Sequence, residues 1–165
     1  MRFWDASAVV PLLVRESQTQ AANTLLREDL GMVVWWVTRS ECVSALTRKG
    51  REGELTPLEQ AQAHVRLYQL ERAWTEMQPV PQLRVLAEML LQRYPLRTAD
   101  AFQLAAALRW RGDAPRSASF VCLDWRVRDA AQAESLLYCT CRVPSAHNPA
   151  CRYLGMLYQL TNWSQ

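Results

Sequence analysis

Glycine is scarce in this chain, and long apolar runs are missing. The five glycines form no glycine-rich phosphate loop, so the sequence excludes P-loop and Rossmann nucleotide-binding sites. No apolar run approaches the roughly 20 residues that cross a bilayer, and the first residues lack the apolar core of a signal peptide. We therefore expect a cytoplasmic protein without a membrane partner.

Positive charge is modest and almost entirely arginine. The formal net charge is only +3, and Lys49 is the only lysine, which is weak evidence for a polyanionic partner. The five cysteines are an odd number without a secretion signal, and this argues against a disulfide framework. With 165 residues, 50% of them hydrophobic and 21% charged, the chain is typical of a soluble globular protein with one main domain.

Short apolar runs alternate with helical patterns along the chain. The predicted strands are 1–4, 32–37, 119–123 and 136–141, and the predicted helices are 7–14, 17–29, 38 to about 50, 56–77, 81–94, 99–110 and 125–133. Thr38 and Thr56 are predicted to open capping boxes, and Ser17 and Thr98 to cap helices. This alternation predicts an α/β fold in which a mainly parallel sheet lies between helix layers.

The composition changes near the end of the chain. From Ser135 onward there is no acidic residue, yet three of the five cysteines occur there. No clear periodicity follows Arg142. We therefore expect the main domain to span residues 1–141 and residues 142–165 to form a C-terminal extension.

Four acidic residues mark the candidate site: Asp5, Glu41, Asp100 and Asp124. Asp5 and Asp124 follow predicted strands, and Glu41 and Asp100 lie in the first turns of predicted helices. Because sites in parallel sheets form at the carboxyl ends of strands, we expect the four side chains to converge. Each also has a purely local explanation, as a helix cap, a capping-box member or a partner of the helix dipole.

Converging carboxylates predict a metal site. Like charges in one pocket disfavour one another unless a cation compensates them. Hard oxygen ligands select Mg²⁺ or Mn²⁺ rather than zinc. Such an ion acidifies a bound water, and a second ion would stabilise the leaving oxygen of a phosphodiester. The sequence does not decide whether the site holds one ion or two. It also does not decide whether Asp124 binds an ion or orients the water.

The four acids stand in particular sequence contexts, in a fixed order. Residues 3–10, 38–46, 96–105 and 120–124 read FWDASAVV, TRSECVSAL, LRTADAFQLA and FVCLD. This ordered set resembles the PIN-domain ribonuclease family, and most of all the VapC-type toxins of toxin–antitoxin pairs. The resemblance covers residues 1 to about 135. It implies a three-layer α/β/α fold, Mg²⁺ or Mn²⁺ held by the four acids as catalytic residues, and supporting roles for Ser7 and Thr98.

The resemblance also implies partners. These are an RNA substrate, a small antitoxin protein, and a second copy of the chain in a homodimer or a dimer of heterodimers. We expect the antitoxin to dock on the helical region 7–77. Arg97, Arg126 and Arg128 follow or precede the acids and are candidates for phosphate contacts, although solvated helix-face charges explain them equally well. The alternative function is a non-catalytic PIN-like module that binds RNA or protein.

Overall fold

The computed structural model describes residues 1–113 and 119–139. In this part of the chain, parallel strands form one sheet in the order β3-β2-β1-β4-β5. The strands are β1 (Arg2–Trp4), β2 (Met32–Trp35), β3 (Thr75–Met77), β4 (Ser119–Val121) and β5 (Tyr138–Cys139). The first strand of the chain, β1, is therefore the central strand of the sheet.

Helices cover both faces of the sheet. The first four are α1 (Ala6–Leu13), α2 (Thr19–Glu28), α3 (Thr38–Arg51) and α4 (Pro57–Glu71), and their buried side chains share one hydrophobic core. The other three are α5 (Pro81–Arg93), α6 (Thr98–Asp113) and α7 (Trp125–Ala133), which pack in a second core. The prediction of a three-layer α/β/α fold with a parallel sheet is confirmed.

The two cores follow from the alternation of side chains along each strand. Phe3 packs beside Phe120 and Trp110 in the second core, with ring centroids 6.0 and 5.9 Å away. The next residue, Trp4, points to the opposite face and lies in the first core. Both side chains are fully buried, as expected for a parallel sheet covered on each side.

The end of α4 differs from the prediction. The expected helix 56–77 ends at Glu71, and residues Thr75–Met77 form β3 at the edge of the sheet, paired with β2. The beginning of α4 confirms the second capping box. Thr56 Oγ1 accepts from the Glu59 backbone nitrogen at 3.2 Å, and Glu59 Oε2 accepts from that of Thr56 at 2.8 Å.

The capping box predicted at Thr38 is wrong. Thr38 is the first residue of α3, and Val37 precedes it without a side-chain cap. The Thr38 hydroxyl is fully buried and accepts a hydrogen bond from Gln103 Nε2 at 3.1 Å. A contact between distant helices has therefore replaced the local one.

Two further cap predictions are also wrong. Gln18, not Ser17, precedes α2, and no side chain caps that helix. Thr98 is the first residue of α6, which extends to Asp113 rather than ending near residue 110.

The last predicted elements fall partly outside the described residues. Of the predicted strand 136–141, the structure describes Tyr138–Cys139 as β5. The proposed boundary after residue 141 and the extension 142–165 lie outside the described residues. Among the helices that are described, none combines the length and apolar character needed to span a membrane.

Candidate active site at the carboxyl edge of the sheet

The strand order reverses at β1. From β1 the chain moves outward through β2 and β3 on one side, and β4 and β5 lie on the other side. Ligands of such sheets bind in the crevice at the carboxyl ends of the strands where this reversal occurs. Asp5 follows β1 directly, and its backbone nitrogen donates to the Val121 carbonyl at 2.9 Å. The first predicted acid therefore lies in the crevice between β1 and β4.

Asp5 is buried and heavily hydrogen-bonded on one oxygen. It caps the N-terminus of α1, and its Oδ2 accepts from the backbone nitrogen of Ser7 at 2.9 Å. The hydroxyl of Ser7 and the thiol of Cys122, at 3.5 Å, donate to the same Oδ2. Within residues 1–113 and 119–139, no donor bonds Oδ1 of Asp5. One carboxylate oxygen is thus held in place, while the other has no hydrogen-bond donor among the described residues.

Ser7 connects Asp5 to the segment after β4. Its hydroxyl donates to Asp5 and accepts a hydrogen bond from the Leu123 backbone nitrogen at 3.0 Å. The predicted supporting residue therefore contacts the first acid directly. Thr98 differs, because it is exposed at the start of α6 and, in the described part of the chain, forms no side-chain hydrogen bond with any of the four acids.

Glu41 is held by a glutamine that the sequence analysis missed. Gln103 is 1% exposed, and its Nε2 donates both to Glu41 Oε2 and to Thr38 Oγ1. Its carbonyl oxygen Oε1 is buried and, among the described residues, has no hydrogen-bond partner. The available signal was the spacing: Gln103 follows Asp100 by three residues, which places both on one helix face.

Burial and neighbouring charge raise the pKa of two of the four carboxyl groups, Glu41 and Asp5. Burial raises the pKa of Glu41 to about 7, the hydrogen bond from Gln103 opposes this rise, and the charges of Asp5 and Asp100 add to it. Burial also raises the pKa of Asp5, against the hydrogen bonds from Ser7 and Cys122, and the charge of Asp100 contributes further. The negative charge of Asp100 thus acts on both Asp5 and Glu41, and that of Asp5 acts on Glu41, so the three acids are electrostatically coupled.

Asp100 reaches this environment from the first turn of α6. Its Oδ2 accepts from the backbone nitrogen of Arg97 at 3.0 Å, so it also satisfies a free donor at the start of the helix. The same oxygen lies 3.9 Å from Nη2 of Arg126. Asp100 therefore serves both as a hydrogen-bond acceptor at the start of α6 and as a member of the candidate site.

Asp124 has a different partner. It caps α7, and its Oδ1 accepts from the Arg126 backbone nitrogen at 2.9 Å. The Arg126 guanidinium bonds both carboxylate oxygens, with Nε 3.3 Å from Oδ1 and Nη2 2.9 Å from Oδ2. These bonds hold the pKa of Asp124 below its usual range. Among the described residues, Arg97 and Arg128 form no ion pair with the four acids.

The carboxylates suit a hard divalent cation in chemistry, but they are not closely gathered. In the part of the chain that the structure describes, no three histidine, cysteine, aspartate or glutamate side chains converge enough to hold an ion in their present positions. Mutual repulsion favours such separation. The match to Mg²⁺ or Mn²⁺ therefore lies in the chemistry of the carboxylate oxygens, which are the ligands that these ions prefer, and not in the present distances between them.

A parallel sheet between two helix layers, with acids at its carboxyl edge, places the chain in the class of three-layer α/β/α proteins. The PAE2754 protein from Pyrobaculum aerophilum shares the fold, with a TM-score of 0.57, 19% identity, and coverage of 78% of this chain and 83% of that chain. The structure of FitAB bound to an IR36 DNA fragment has a TM-score of 0.62 at 12% identity and covers 90% of this chain and 100% of that chain. FitAcB from Neisseria gonorrhoeae has a TM-score of 0.55 at 15% identity and covers 84% of this chain and 96% of that chain.

Sequence comparison narrows this class to a family. No protein-family model matches the chain. It is, however, 33% identical over 130 residues to ribonuclease VapC46 of Mycobacterium tuberculosis (strain ATCC 25618 / H37Rv), which covers 79% of this chain and 89% of that protein. The chain therefore belongs to the VapC-type PIN-domain family.

Proposed function

We propose that this protein is a cytoplasmic, divalent-metal-dependent endoribonuclease and the toxin of a toxin–antitoxin pair. The observation that carries the proposal is the placement of Asp5 at the point where the strand order reverses, with Glu41 and Asp100 near enough for their charges to be coupled. The relative named ribonuclease VapC46 supports RNA as the substrate, because the alignment covers 89% of its length.

The three coupled acids are the proposed ligands of Mg²⁺ or Mn²⁺. Burial chiefly raises the pKa of Asp5 and of Glu41, neighbouring negative charge adds to the rise, and a bound cation would favour the ionised form of both. When bound, the ion supplies a Lewis acid for the phosphoryl group and acidifies water for attack on the phosphodiester.

The chain's own residues prepare this site. Ser7 and Cys122 hold one oxygen of Asp5, so that the other oxygen keeps a defined direction. Gln103 donates to Glu41 and thereby favours its ionised form, which is the form that binds a cation. Both arrangements reduce the movement needed on binding.

The proposed protein partner is a small antitoxin that covers the acidic crevice. Within the predicted docking region 7–77, α4 exposes large apolar side chains along its outer side: Leu58, Val65 and Tyr68 are 68%, 57% and 55% exposed. Such a stripe suits an apolar helix laid across it. We also propose a homodimer or a dimer of heterodimers, as in the family that the sequence resembles.

The experiment is a cleavage assay on purified, partner-free protein. A panel of RNAs is incubated with Mg²⁺, with Mn²⁺ and with chelator. We expect cleavage only with an ion, and none by Asp5→Asn or Asp100→Asn. Asparagine remains a good N-cap, so α1 is preserved in the first variant. Asp129→Asn, at an exposed position on α7, is the matched control and should cleave normally.

Two results would refute the proposal. One is equal cleavage in chelator, and the other is full activity in both site variants. Tight RNA binding without cleavage under any condition would instead support the alternative, a non-catalytic PIN-like module.

A further inference from the structure

Asp124 has different surroundings from the other three predicted acids. The charge of Asp100 acts on Asp5 and on Glu41, whereas Asp124 is absent from the charges that raise the pKa of these two groups. Both oxygens of Asp124 are engaged by Arg126, through its guanidinium and its backbone nitrogen. A carboxylate already neutralised in this way has little left to offer a cation.

The ion pair with Asp124 holds the Arg126 guanidinium in one orientation. Nε and Nη2 form a two-pronged contact with Asp124, which fixes the plane of the guanidinium. The same Nη2 lies 3.9 Å from Asp100 Oδ2, so the positive group stands between the fourth acid and one of the other three. Its side chain is 26% exposed, and solvent reaches it.

One nitrogen of the Arg126 guanidinium is not engaged by Asp124. Among the described residues, Nη1 of Arg126 has no hydrogen-bond acceptor, so two N–H groups are available beside the acidic crevice. Each of these N–H groups can donate a charge-assisted hydrogen bond to a phosphate oxygen. A pocket of carboxylates repels a phosphodiester, and a fixed positive charge at its edge reduces that repulsion.

Building on the proposed function, we propose that Asp124 is the anchor of Arg126 rather than a metal ligand, and that Arg126 binds a phosphate of the RNA substrate. Arg128 provides the contrast. It lies on the same helix two residues later, and in the described part of the chain no acid holds it. Arg126 is therefore the member of the pair with a defined orientation toward the crevice.

The decisive variant is Asp124→Asn/Arg126→Gln, which removes the ion pair without changing net charge. Asparagine at position 124 preserves the cap of α7. Arg128→Gln is the control for the loss of one arginine on this helix, and Asp5→Asn is the control for the loss of a metal ligand. A simple change in overall charge cannot explain any effect of the double variant.

Two binding measurements test the two halves of the inference. Mn²⁺ affinity is measured from the electron paramagnetic resonance signal of free Mn²⁺. RNA affinity is measured in chelator, by fluorescence anisotropy of a labelled single-stranded RNA of about 12 nucleotides. The RNA titration is repeated at several salt concentrations, because each phosphate contact contributes about 0.7 to the slope of log affinity against log salt.

We expect the double variant to bind Mn²⁺ within about threefold of the wild type, while Asp5→Asn binds it at least about tenfold more weakly. We expect its RNA affinity to fall about tenfold and its salt slope to fall by about 0.7, with little change in Arg128→Gln. Loss of Mn²⁺ affinity equal to that of Asp5→Asn would show that Asp124 is a ligand. Unchanged RNA affinity, or an equal loss in Arg128→Gln, would overturn the phosphate contact.

Cleavage assays on the same proteins separate this inference from the proposed function. A wild type without ion-dependent cleavage refutes the nuclease, whereas the two affinities decide the roles of Asp124 and Arg126 whether or not RNA is cut.

Discussion

Gln103 on α6 donates a hydrogen bond from Nε2 to Oε2 of Glu41 on α3, across the carboxyl edge of the sheet. These helices belong to opposite layers, and each packs in a different hydrophobic core. The same nitrogen also donates to Thr38 at 3.1 Å. A single buried amide thus links the two helix layers beside Glu41.

Gln103→Met should shift the pH dependence of cleavage. Methionine has a similar shape but donates no hydrogen bond, so the ionised form of Glu41 loses the interaction that lowers its pKa. We expect the acidic limb of the pH–rate profile to move to higher pH. The measurement is the cleavage rate in Mg²⁺ across pH 5 to 9, roughly the range in which Glu41 titrates.

Gln92→Met, at an exposed position on α5, controls for the substitution itself and should leave the profile unchanged. A Gln103→Met enzyme whose rate falls equally at every pH would indicate a structural role alone. Its thermal midpoint, measured in parallel, shows whether the fold has been kept.

The fold was predictable wherever each element carries its own pattern. Apolar runs separated by helical periodicity indicated the three-layer architecture, because both faces of a parallel sheet must be covered. β3 was missed because Thr75–Met77 is only three residues long and begins shortly after the end of α4 at Glu71. Its identity as a strand comes from pairing with β2, a contact that no local pattern records.

The sequence predicted where two of the acids lie in the fold, but not the contacts that surround them. Asp5 and Asp124 were placed by the rule that sites form after parallel strands. Thr38 was misassigned because its sequence matches a capping box, yet its hydroxyl is occupied by Gln103. Gln103 itself was overlooked because a glutamine in a helix is usually exposed, and its burial depends on the docking of α6 against the sheet.

Ser7→Ala should lower the free energy of unfolding by about 1–3 kcal/mol. The change leaves the Leu123 backbone nitrogen without its acceptor and removes one donor from Asp5. The measurement is urea unfolding followed by tryptophan fluorescence. Ser44→Ala, at an exposed position on α3, should change the unfolding free energy by less than about 0.5 kcal/mol. Equal effects of the two substitutions would contradict a structural role for the Ser7 bridge.

Divalent ions should stabilise the folded protein through the three coupled acids. At a concentration about 100-fold above its dissociation constant, Mn²⁺ would add about 2.7 kcal/mol to the free energy of unfolding. The measurement is the thermal midpoint with Mn²⁺ and with chelator. We expect Asp100→Asn to lose most of the shift and the exposed-site variant Asp129→Asn to retain it. A shift of the same size in both variants would place the ion elsewhere.

Glu41 should make the metal-free protein less stable as the pH rises. Its pKa is about 7 in the folded state and 4.5 ordinarily, so between these values the folded state binds more protons than the unfolded state. Under that condition the free energy of unfolding falls with increasing pH, and the loss is complete above about 7. Glu41→Gln removes this loss. Its thermal midpoint in chelator should equal that of the wild type near pH 4 and exceed it at pH 8.

Glu59→Gln is the control of opposite sign. The backbone nitrogen and hydroxyl of Thr56 donate to Glu59 and lower its pKa, so this carboxylate stabilises the fold above its ordinary pKa and ceases to do so as the pH falls. Its replacement should therefore lower the thermal midpoint at pH 8 and have no effect at the acidic end. If the Glu41→Gln difference were the same at every pH, burial and the neighbouring charges would not be acting on Glu41, and the electrostatic coupling of the three acids would be refuted.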